Sequence, residues 1–128
     1  MDANELVQKI KEAVEAKLKE MEEVENYVNK AIIYIYNRAI DNMKLKRILW
    51  GFQIVKKSRI KLLMYLDDDI ELVNLELPLE KKDIAETIYY KYRDVIKNTF
   101  VTSDAEVVEE DKPNIKYLQV RYKKLYLS

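Results

Sequence analysis

The sequence predicts a mainly α-helical fold: a helical bundle of a long N-terminal helix or helix pair, a basic central helix and a closing helix, followed by one C-terminal β-strand segment. Three observations predict it. From Ala3 to about Met43 there is neither Gly nor Pro, and apolar residues recur in steps of three or four. Apolar residues keep the same spacing through KLKRILWGFQIVKKSRIKLLMYL, residues 44–66. Finally, Leu118, Val120 and Tyr122 alternate with Gln119, Arg121 and Lys123, which is the period of a strand.

The first element is a stripe of Leu6, Ile10, Val14, Leu18, Met21, Val24, Val28, Ile32, Ile35, Ala39 and Met43. It predicts one long helix or two collinear ones, with any break near residues 25–27, where a charge-rich half gives way to AIIYIYNRAI. The charge-rich half reads either as a helix packed on the domain or a sister subunit, or as a coiled-coil arm. Its Glu5–Lys9 and Glu15–Lys19 pairs are four apart and in the favourable order.

In the central segment Leu45, Ile48, Leu49, Phe52, Val55, Leu62 and Leu66 share one helical face, interrupted by Arg59. Gly51, the only glycine, sits between Trp50 and Phe52 and marks close helix packing or a hinge. Ile32, Ile35, Tyr36, Trp50 and Phe52 are the candidate subunit interface, although a Trp-Gly-Phe cluster also suits a core.

Residues 67–77 break the helical period, and the Asp67, Asp68, Asp69 triplet reads as a helix-ending loop. It lacks the alternating ligands and turn glycine of a calcium loop. Pro78 then suits the first turn of a helix to about Asn98, with Ile84, Ile88, Tyr92, Val95 and Thr99 inward and Tyr89 and Tyr90 at the border. Thus residues 1–101 form a helical domain, residues 102–113 an acidic linker, and residues 114–128 a strand segment. A lone strand must pair, so Leu118, Val120 and Tyr122 are candidates for strand pairing with a partner.

With 23 basic and 23 acidic residues the net charge is zero, but the charge is unevenly placed. Residues 31–66 hold eight basic side chains and one acid, a basic island. Lys44, Lys46, Arg47, Lys56, Lys57, Arg59 and Lys61 could neutralise phosphates if they share a face, or pair with acidic groups of the same complex. There is no His and no Cys, which removes imidazole and thiolate chemistry and the usual zinc sites. A single Gly leaves no phosphate-cradling loop. No catalytic, metal or cofactor site is expected, and an enzyme using carboxylates or tyrosines is the remote alternative. No run suits a signal peptide or a membrane span, so the expected setting is cytoplasmic and nucleoid-associated, with no membrane contact. Richness in Lys, Glu, Ile and Tyr matches proteins of hot environments.

The order of parts resembles a GINS subunit of the archaeal type with the helical domain first and a small β domain last. The resemblance is carried by SRIKLLMYL, with Arg59 and Lys61, by the helix start at Leu77, Pro78 and Glu80 in LPLEKKDIAETIYYKYRDVI, and by PNIKYLQVRY as the opening β-domain strand. Arg59 and Lys61 are one residue apart where the family separates them by two, and the β domain stops after one strand. The resemblance implies a non-catalytic DNA replication factor. It would form a 2:2 hetero-tetramer with a paralogous GINS subunit, or a homo-oligomer, and scaffold the MCM helicase and a RecJ-like, Cdc45-type protein at the fork, with DNA as a further possible contact. The competing reading is a nucleic-acid-binding helical protein, of viral-coat or chromatin type, using the basic island.

Overall fold

In the computed structural model, which describes residues 2–41 and 44–123, the chain is an α+β sheet protein rather than a helical bundle. Helix α1 spans Ala3–Ile40. Strands β1 (Arg47–Lys56), β2 (Arg59–Leu66) and β3 (Ile70–Pro78) form a meander. A 3-10 turn at Leu79–Lys81 leads into helix α2 (Lys82–Phe100), and β4 (Ala105–Lys112) and β5 (Ile115–Tyr122) form a closing hairpin. The five strands make one antiparallel sheet in the order β3-β2-β1-β5-β4.

Helix α1 starts at Asp2, whose carboxylate accepts a hydrogen bond from the Glu5 amide at 2.8 Å. It runs without a break through residues 25–27. Only its second half is buried against the rest of the chain, through Val24, Val28, Ala31 and Ile35. Met43, where the stripe ends in the sequence, lies outside the described residues.

The basic central helix is replaced by the β1–β2 hairpin. Ile48, Trp50 and Phe52 on β1 and Ile60, Leu62, Met64 and Leu66 on β2 are fully buried and alternate with more exposed neighbours, except at Gly51, which is itself buried. Register pairs Trp50 with Met64 and Phe52 with Leu62, and the reversal falls at Lys57 and Ser58. Both strands are interior and apolar on much of both faces, so a period of two and a period of 3.6 fit the same letters. β-branched and aromatic residues, and cross-strand pairing, decide in favour of sheet.

The two acidic segments are likewise structured. Asp67 ends β2 in the left-handed region, φ 57°, and residues 70–78 form β3 instead of loop. Residues 105–112 of the expected linker form β4, paired along its length with β5. Because β5 also pairs with β1, Leu118, Val120 and Tyr122 belong to an interior strand, and their strand partners lie within the same chain. There is accordingly no separate helical domain and no isolated strand segment among the described residues.

Both helices lie on one face of the sheet, with α2 over β1 and β2 and α1 beside α2 and β3. Trp50 is the centre of this layer. Its indole Nε1 donates to the Tyr89 carbonyl at 2.9 Å, its ring stacks on Tyr89 at 5.9 Å, and Tyr92 meets it edge-on at 6.4 Å. Tyr92 ties the two helices together, its hydroxyl donating to Asn29 Oδ1 at 2.7 Å and lying 3.3 Å from the Glu25 carbonyl. Tyr122 on β5 donates to the Phe100 carbonyl at 2.7 Å, satisfying an otherwise open group at the end of α2.

Candidate interaction surface

The head of the molecule begins where α1 first touches it. Lys17 pairs with Asp83, Glu20 with Lys81, and Lys91 with Glu25 at 2.7 Å. N-terminal to these contacts, residues 3–16 of α1 project as an arm about 21 Å long at 1.5 Å per residue, and every residue from Ala3 to Lys19 is exposed. Leu6, Ile10, Val14 and Leu18 form an apolar ridge along it, each side chain more than half exposed, with Val7 widening it. Isolated exposed leucines are ordinary. Four on one ridge of a projecting helix, with charge on both flanks, form an unpartnered helix face.

The sheet has a second open surface opposite the helices. Leu49, Gln53, Leu63, Ile115 and Tyr117 border a shallow depression of about 320 Å³ over Gly51. Its origin is the missing side chain: a Cβ on Gly51 would lie 3.3 Å from Leu63 Cδ1. The lining is mostly apolar, without a cluster of titratable groups.

One charged side chain is buried on the helix-facing side. Lys116 on β5, only 6% exposed, donates to Asp111 Oδ1 at 2.7 Å and to the Lys112 carbonyl at 3.2 Å, with its ammonium 5.4 Å from the Tyr90 ring centre. Burial works to lower the ammonium, but hydrogen bonds to Asp111 and Tyr90 outweigh it and hold Lys116 above its ordinary value. The same Lys116 bond, followed by the Tyr90 hydroxyl at 2.9 Å, holds the Asp111 carboxyl below the usual carboxylate range. Each group is stabilised in its charged form, which suits a fixed ion pair and not a proton-transfer site. Among the described residues, no group of three or more acidic side chains is placed to hold a metal ion.

The residues singled out in the sequence fall into different environments. Ile35, Trp50 and Phe52 are fully buried in the core, and Ile32 packs against it partly covered. Of the five expected interface residues only Tyr36 is exposed, on an outward line of α1 with Ile33 and Ile40. The basic island is divided by the strand geometry. Lys44, Lys46 and Arg47 lie at one end of β1 and Lys56 and Lys57 at the other, about 30 Å away. Arg47 pairs with Asp68 at 3.0 Å and Arg59 with Glu76 at 3.5 Å, so these two charges are met within the chain, while Lys61 projects from β2 without completing a continuous basic track.

A polar node that the sequence did not suggest is Asp67. Its carboxylate accepts from the Lys46 amide at 2.7 Å and more weakly from the Arg47 amide, and it faces Arg38 of α1 at 3.7 Å. It thereby ties the end of α1 and the entry to β1 to the β2–β3 turn. The local signal was an Asp triplet, which says nothing about which of the three turns inward.

No helix among the described residues is long and apolar enough to cross a membrane. Comparison with known protein families, curated proteins and solved structures gives no match to this chain.

Proposed function

We propose that this chain is a non-catalytic assembly subunit, a rigid α+β head that carries a helical association arm. The observation that supports this most directly is the exposed ridge of Leu6, Ile10, Val14 and Leu18 on a continuous helix, its first three residues held clear of the head and Leu18 at its base. Covering these side chains removes apolar surface from water at about 25 cal/mol per Å², whereas the lone chain leaves them solvated. The absence of His and Cys from the sequence and the charge-stabilised Lys116–Asp111 pair support the non-catalytic part of the reading.

The scaffold role implied by the GINS resemblance survives only in this general form. SRIKLLMYL is strand β2, not a helix, and PNIKYLQVRY belongs to the same sheet instead of opening a separate domain. The helicase and RecJ-like partners rested on those elements and form no part of the proposal. A nucleic-acid role draws little support from a basic island split between the two ends of β1.

Light scattering after size exclusion tests the proposal. The chain is expected to exceed its single-chain mass of 15.3 kDa, and the Ile10→Glu/Val14→Glu variant to fall to it with an unchanged circular dichroism spectrum of the head. A wild-type chain that stays at the single-chain mass at 100 micromolar, a concentration on the order of the weakest specific complexes, overturns it.

A further inference from the structure

We draw no further inference here: the strongest candidate, the shallow apolar depression over Gly51 on the open face of the sheet, is an unpartnered surface walled by Leu49, Leu63, Ile115 and Tyr117, and nothing in the structure shows what covers it.

Discussion

Tyr89 offers a test in which the expected sign is opposite to that of most core substitutions. Its side chain is 1% exposed, and its ring stacks on Trp50, tilts against Phe52 and meets Tyr90 edge-on. Its hydroxyl, however, is buried without a hydrogen-bond partner. Tyr89→Phe keeps every ring contact and deletes only that oxygen. A buried, unpaired polar group costs about 1–3 kcal/mol, so the lower end of that range, about 1 kcal/mol of added stability, is the expected gain. For a chain of this size that is a rise in melting temperature of about 4 °C. Thermal and urea melts followed by circular dichroism, at matched protein concentration so that association contributes equally, measure it.

The same variant makes a second, independent prediction with pH. Burial pushes the Tyr89 phenol well above its ordinary value of 10. With the folded-state value raised, the contribution of the protonated phenol is complete below pH 10 and is lost as pH climbs through that value towards the folded one. Wild type is expected to lose about 1.4 kcal/mol per pH unit in that window beyond what Tyr89→Phe loses. A variant less stable than wild type at neutral pH, or one with the same alkaline profile, would show that the hydroxyl is satisfied and refute the reasoning.

Two further substitutions probe polar contacts that are made. Tyr92→Phe removes the hydroxyl bound to Asn29 and near the Glu25 carbonyl, and is expected to cost about 1 kcal/mol by the same melts, the opposite sign to Tyr89→Phe. Asp67→Ala deprives the Lys46 and Arg47 amides of their acceptor at a residue with positive φ, and is expected to cost about 2 kcal/mol. Asp67→Asn, which tolerates that backbone and still accepts from the amides, should cost less than about half as much. Equal losses for the two variants would mean that the Arg38 charge contact, and not the amide bonds, carries the effect.

The two helices were legible because apolar residues recur along each in steps of three or four, although in α1 only the second half buries that face. In α2 the inward Ile84, Ile88 and Tyr92 keep a clear 3.6 period, but Pro78, expected in its first turn, ends β3, and α2 begins at Lys82 after a 3-10 turn. The hairpin was not legible, and Leu49 and Leu63 show why. They are apolar on the open side of the sheet and so fill in the very positions whose polarity would have revealed a period of two. In β4 the difficulty is reversed. Its helix-side positions include the exposed Glu109 and Asp111, opposite Leu118 and Lys116, so the pattern is set by the partner strand and not by hydrophobicity. Of the interaction surface, the ridge and its flanking charges were plain in the letters. That the head ends near Lys17, leaving four ridge residues uncovered, follows from the contacts of Asp83 and Lys81, which no local pattern contains.

The outermost strands carry a consequence for what the molecule avoids. β3 and β4 border the sheet, and an unprotected border invites endless addition of further strands. Here β4 displays Glu106, with Glu109 and Asp111 beside their partners Lys97 and Lys116, and β3 displays Glu71 and, beside Arg59, Glu76. Borders of the same sign repel each other at neutral pH, so growth by strand addition, which would end in fibrils, is discouraged while a closed complex remains soluble. That safeguard is made of carboxylates and is therefore conditional. Replacing them with neutral side chains would remove the repulsion and leave two bare borders able to template one another.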